Sequence, residues 1–202
     1  MPDQTPRARA RLVVAYGVRP AHELLREAAG RFHGVPPTTI VLGHECPRCG
    51  SDEHGRPLLL PTAAVRAPAH VSLARAGDLS VVALTDVGPV GVDIEAVGAA
   101  AFPGFDDVAR HPDERGTDAT ASWVRTEALL KAHGFGLAVD PRDISIDADG
   151  SVTWDSPHEA PGPAWLRDLE VPGHVVAVVA LPEQDVTGMS VVVEPASDSP
   201  SA

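Results

Sequence analysis

Apolar and polar positions alternate or recur in ways that divide this 202-residue chain into short elements. Leu12–Tyr16 is a brief apolar run and reads as a strand. Ala21–His33 carries apolar residues at helical spacing and is closed by Gly34 and Pro36-Pro37, which predicts a helix. Thr38–Leu42, rich in β-branched residues, predicts a short strand. His70–Ala74 and Ser80–Thr85 flank the turn pair Gly77-Asp78 and predict a hairpin, with Val90–Glu95 a third strand. A helix is predicted around Trp123–Lys131, capped by Thr120 or Ser122 and ended by Gly134. Ile144–Ile146, Ser151–Trp154, Trp165–Leu169 and His174–Leu181 predict the strands of a second sheet, with Asp149-Gly150 as a hairpin turn. Ser190–Val193 adds an edge strand. Residues 1–10, 155–164 and the tail from Glu194 onward read as lead-in, loop and disordered tail.

Gly98–Pro103 is a run of small residues and marks a boundary between an N-terminal half, 1–98, and a C-terminal half, 99–202. Each half runs strand, helix, then several strands, without detectable sequence repetition.

Composition narrows the class. A hydrophobic content of 44% is ample for a core, and with only 4% aromatic residues that core must be largely Val, Leu and Ala. No apolar run approaches the ~18 residues of a membrane span. The run after Arg7, Arg9 and Arg11 is too short for a signal peptide, so the protein is expected in the cytoplasm. The net charge of −12 argues against bulk nucleic-acid binding. Any anionic substrate would need local basic residues or a divalent metal against this negative background.

Two stretches carry candidate chemistry. In Gly91-Val92-Asp93-Ile94-Glu95, strand parity puts both carboxylates on one face and Val92 and Ile94 on the other. Adjacent like charges cost free energy unless a cation lies between them. In Trp123-Val124-Arg125-Thr126-Glu127-Ala128-Leu129-Leu130-Lys131, helical spacing places Trp123, Glu127 and Lys131 on one stripe. Lys131 is the only lysine in a chain with 15 arginines, which marks it as a site for a compact ammonium rather than a guanidinium fork. Contact with phosphate as a point charge is one such task. Two carboxylates on a strand, with a third and a lysine on a helix, make a site for Mg2+ and phosphate. Separately, Cys46-Pro47-Arg48-Cys49 with His44 and His54 nearby is half of a zinc-knuckle pattern, alternatively a pair of reduced thiols capping a loop.

These motifs resemble those of the 4'-phosphopantetheinyl transferases, in particular the larger monomeric type that serves polyketide and peptide synthases. That family has a G-[IV]-D-[IV]-E strand followed by a helix reading W-x-x-K-E-A-x-x-K. Here GVDIE is complete, and the helix reads WVRTEALLK, with Thr126 in place of the usual Lys. The resemblance extends to Cys46–Pro57, His70–Leu84 and, weakly, Gly173–Leu181. It implies an α+β fold of two pseudo-symmetric α/β halves with the active site at their interface. It implies a cytoplasmic monomer that transfers the 4'-phosphopantetheine arm of coenzyme A, with Mg2+, to a serine of an acyl or peptidyl carrier protein. No membrane or nucleic-acid partner is implied.

By the same resemblance, Asp93, Glu95 and Glu127 hold Mg2+, Glu127 is the general base and Lys131 pairs with the α-phosphate. Arg56 in the His-Gly-Arg-Pro turn and Ser72 contact phosphate. Leu73 stands where the family has a phosphate-contacting His; Arg75, or His70, would supply the missing positive charge. Trp123 is expected to pack the helix. Leu73 and Thr126 also motivate a second reading, a catalytically weakened relative that binds a carrier or synthase without transferring the arm. A Mg2+-dependent phosphohydrolase is a third.

Overall fold

The computed structural model describes residues 10–46, 48–65, 69–147, 149–158, 164–182 and 189–196, a mixed α/β fold. Its layers follow from strand alternation. In β1 (Arg11–Val18), Leu12 and Val14 face one way and Ala15 the other; in β5 (Leu79–Thr85), Val81 and Ala83 oppose Val82 and Leu84. Apolar residues on both parities mean a sheet covered on both faces. β4 (His70–Ala76) pairs antiparallel with β5 through the predicted Gly77-Asp78 turn, β5 with β1, and β11 (Ser190–Pro195) runs parallel along the far edge of β1. The second sheet has the order β6 (Val90–Ala96), β10 (His174–Ala180), β9 (Trp165–Val171), all antiparallel.

The two sheets pack face to face through Leu12, Val14, Val81, Val92, Ile94, Val176 and Val178. Outside the first sheet lies α1 (Ala21–His33), which buries Leu24, Leu25, Ala28 and Phe32 against Val82 and Leu84. It ends at Gly34, whose left-handed φ of 67° is the C-cap conformation glycine adopts without penalty. Outside the second sheet lies α3 (Ala119–His133), packed on Ala177 and Val179. The stack is therefore helix, sheet, sheet, helix. α3 is also covered by α2 (Phe105–Ala109), and by the two-stranded sheet of β7 (Ile144–Ile146) and β8 (Val152–Trp154). That is why α3 buries residues around its whole circumference, including Thr120, Ser122 and Thr126.

Buried Glu114 fixes one side of that cover. Its carboxylate accepts from the Ile146 N–H at 2.6 Å and from the Ser122 hydroxyl, so α3 and β7 are tied through one side chain. A buried carboxylate that accepts hydrogen bonds from two elements is a strong register lock, because losing it strands two donors.

Several expectations are corrected. Thr38–Leu42 is not a strand: Pro37–Thr39 forms a 3-10 turn, and the next strand, β2 (Leu42–Glu45), starts at its far end and pairs with β3 (Arg56–Leu59). Pro37 at the first position of a helical turn outweighs the β-branched pattern that follows it. β7 and β8 form their own small sheet instead of joining β9 and β10. The cap of α3 is Asp118, whose carboxylate accepts from the N–H groups of Thr120 and Ala121 at 2.8 and 3.0 Å; the Thr120 and Ser122 hydroxyls are engaged elsewhere. β11 includes Glu194 and Pro195, so the tail begins later than expected; residues 197–202, like 1–9, lie outside the described residues. Both main sheets draw strands from either side of residue 98, since β6 pairs with β10 and β11 with β1. No helix among the described residues is long and apolar enough to cross a membrane.

Candidate functional site

The site begins with the strand parity read from the sequence. Val90, Val92 and Ile94 of β6 enter the core between the sheets, which turns Gly91, Asp93 and Glu95 towards α3. Gly91 sets the distance. A Cβ at that position would lie 1.8 Å from the Ala128 carbonyl oxygen and 2.6 Å from the Ala132 nitrogen. Only a glycine lets the strand backbone lie this close to the helix backbone.

This approach brings the two motifs into contact. The Lys131 ammonium donates to Asp93 Oδ1 at 2.6 Å and to the Val92 carbonyl at 3.4 Å, across 38 and 39 positions of chain. Asp93 is buried, and its second oxygen, Oδ2, has no hydrogen-bond partner. Glu127 lies one helical turn before Lys131 and is half-buried. Burial pushes the Asp93, Glu95 and Glu127 carboxyls above the usual carboxylate range. For Glu95 the Asp93 charge adds to this effect of burial, and for Glu127 both Asp93 and Glu95 do, while the Lys131 ammonium opposes it in all three. The three acids thus share one electrostatic environment, in which the Lys131 cation acts on all three and His174 on Glu95 as well. Their charges outnumber that cation, which favours either a proton or a further cation.

The acids are not gathered as tightly as the cysteine cluster described below. Among the described residues, Cys46, Cys49 and His54 are the group whose ligand atoms all lie within 4.8 Å, and Asp93, Glu95 and Glu127 do not form such a group. At Asp93 the Lys131 ammonium takes one oxygen. Asp93 Oδ2 is unpartnered, and this oxygen together with the half-buried Glu95 and Glu127 carboxylates could hold a hard divalent ion.

Lys131 also opens onto a cavity of about 810 Å3 between β3, β4 and the segment that follows α3. Arg48, Arg56, His70, Ser72 and Leu73 line its other walls. Arg56 is paired with Glu45 at 2.6 Å in an exposed ion pair, the kind that exchanges partners at little cost. Ser72 Oγ accepts from the Val92 N–H at 3.1 Å, tying β4 to β6 and leaving the hydroxyl proton available to an acceptor. Leu73 presents an apolar wall. Arg75 is not among the lining residues: it is exposed, nearer the other end of β4. Arg48 was not singled out in the sequence, although its place inside the Cys46–Cys49 turn puts it on the same loop as Arg56. Trp123 packs edge-to-face on Phe105 at 6.0 Å and so joins α3 to α2.

The chain matches no known family model and no curated protein. Resemblance to the phosphopantetheinyl transferases therefore rests on the two motifs and the residues around them.

Proposed function

We propose that this protein transfers the 4'-phosphopantetheine arm of coenzyme A to a serine of an acyl or peptidyl carrier protein in the cytoplasm. The observation that carries this reading is the contact between the two motifs: Lys131 reaches Asp93 at 2.6 Å and also faces a cavity walled by Arg48 and Arg56. On this reading the sequence halves 1–98 and 99–202 are pseudo-symmetric α/β units, β6 of the first completing the sheet of the second beside β10, with the site where β6 meets α3. The protein acts as a monomer.

Arg48, Arg56 and Lys131 receive the phosphates of coenzyme A, with Glu45 giving up Arg56 as the anion enters. The Ser72 hydroxyl donates to a phosphate oxygen. His70, which lines the cavity where Arg75 does not, takes the phosphate-contacting role missing at Leu73. Asp93, Glu95 and Glu127 would hold Mg2+, which supplies charge neutralisation for the pyrophosphate. In the transfer, the carrier serine oxygen forms a bond to the β-phosphorus. The bond from that phosphorus to the bridging oxygen breaks, and 3',5'-adenosine bisphosphate leaves. The serine proton passes to Glu127, directly or through a water.

Leu73 and buried Thr126 support a second reading, a weakened relative that binds a carrier without transfer. Mass spectrometry of an apo carrier incubated with the protein, coenzyme A and Mg2+ separates the two. Transfer adds one phosphopantetheine arm to the carrier serine. An unmodified carrier that still co-elutes with the protein supports the binding-only reading. Release of pantetheine phosphate without any carrier would indicate a hydrolase.

A further inference from the structure

We propose that Cys46, Cys49 and His54 form a zinc site that closes the loop between β2 and β3. The two sulfurs and a ring nitrogen of His54 all lie within 4.8 Å of one another, and both thiols are free. Cys49 Sγ is 3.5 Å from His54 Nε2. Tetrahedral zinc with the usual metal–sulfur and metal–nitrogen bond lengths separates such ligands by about 3.6 Å. The Cys49–His54 pair therefore already stands near the edge length of a coordination tetrahedron, with the Cys46 sulfur within 4.8 Å of both.

The backbone of the turn is organised in the same sense. Gly50 N–H donates to the Cys46 carbonyl at 2.8 Å, and Cys46 N–H to the Ser51 carbonyl at 2.9 Å. Two soft sulfurs and an imidazole select zinc over Mg2+ or Ca2+. His44 does not join the cluster: its ring meets His22, with the Nε2 atoms 3.4 Å apart. A water would complete the tetrahedron.

The loop runs from Cys46 to Gly55 and returns Arg56 to β3. Cys46, Arg48, Gly55 and Arg56 all line the cavity. An ion bound to Cys46, Cys49 and His54 would join the two ends of this loop and hold both arginines to one wall. This proposal stands independently of the transfer reading, because it concerns only the loop and its ligands.

The test uses the full chain, purified untagged under reducing conditions, with metal content measured by elemental mass spectrometry. About one zinc per chain is expected. Cobalt added to the metal-free protein should produce a thiolate-to-cobalt charge-transfer band. Cys49→Ser and His54→Gln, both at exposed positions, should each weaken zinc at least about tenfold in competition with a chromophoric chelator. His44→Gln should leave affinity unchanged. The proposal is overturned if reduced wild-type protein neither carries zinc nor gives the cobalt band. It is also overturned if either ligand variant binds zinc as well as wild type, or if His44→Gln abolishes binding.

Discussion

Glu127→Ala is expected to lower transfer to the carrier roughly 100- to 10,000-fold while leaving the protein folded. The asymmetry follows from the position of Glu127. Burial raises the cost of its charge, and the neighbouring Asp93 and Glu95 raise it further. A charge held against such opposition does not stabilise the fold, so removing it should leave the melting temperature unchanged or higher. Functional groups are often retained at this kind of cost to stability. The variant therefore separates two roles. A catalytic and metal-binding Glu127 gives an inactive, well-folded protein. Near-normal transfer would remove Glu127 as both ligand and base, and a collapsed melting temperature would make it a structural residue.

Gly91→Ala is expected to destabilise the protein by about 3 kcal/mol or more, at the upper end of overpacking costs. In a domain of this size that lowers Tm by roughly 6–12 °C. The atoms that a new methyl group would meet are the Ala128 oxygen at 1.8 Å and the Ala132 nitrogen at 2.6 Å. Both belong to the helix backbone, so no side-chain rotation relieves the overlap. Strand β6 and helix α3 must separate, and the Lys131–Asp93 contact must lengthen with them. Thermal unfolding measures the loss, and transfer by the surviving folded fraction measures the displacement of the site. An unchanged Tm would mean that the strand and helix do not lie at this distance.

Local pattern carried much of this architecture. Ala21–His33 is helical over the predicted span, because its apolar spacing and its Gly34 stop act within a few residues of one another. The Gly77-Asp78 hairpin and the parity of Val92 and Ile94 against Asp93 are equally local. What the sequence did not convey depends on partners far away in the chain. Nothing in Ser190–Pro195 announces a parallel pairing with β1, 179 positions earlier at Arg11. Nothing in Ile144–Ile146 distinguishes a strand of the main sheet from one that covers α3. Asp118, Thr120 and Ser122 are all good capping residues, and only tertiary contacts, which engage the Thr120 and Ser122 hydroxyls elsewhere, distinguish them.

The candidate site divides in the same way. The stripe of Glu127 and Lys131 is helical geometry, and it lies where the spacing put it. Gly91 lies inside the first motif, and a glycine inside a strand is itself a signal of close backbone approach. Arg75 could not be judged from sequence, because it shares a parity with Leu73 yet is exposed and lines no part of the cavity. Arg48 lines the cavity because its loop lies against the wall, a tertiary contact that residue spacing does not convey.

The account turns on Asp93, Glu95 and Glu127 sharing one divalent ion beside Lys131. Mn2+, a hard-ion surrogate for Mg2+, can be titrated into the protein in the presence of coenzyme A while free ion is counted by electron paramagnetic resonance. The prediction is about one bound Mn2+ per chain, weakened at least about tenfold in each of Asp93→Asn, Glu95→Gln and Glu127→Gln. Wild-type protein that binds no Mn2+, or three variants that bind it as tightly as wild type, would contradict the account.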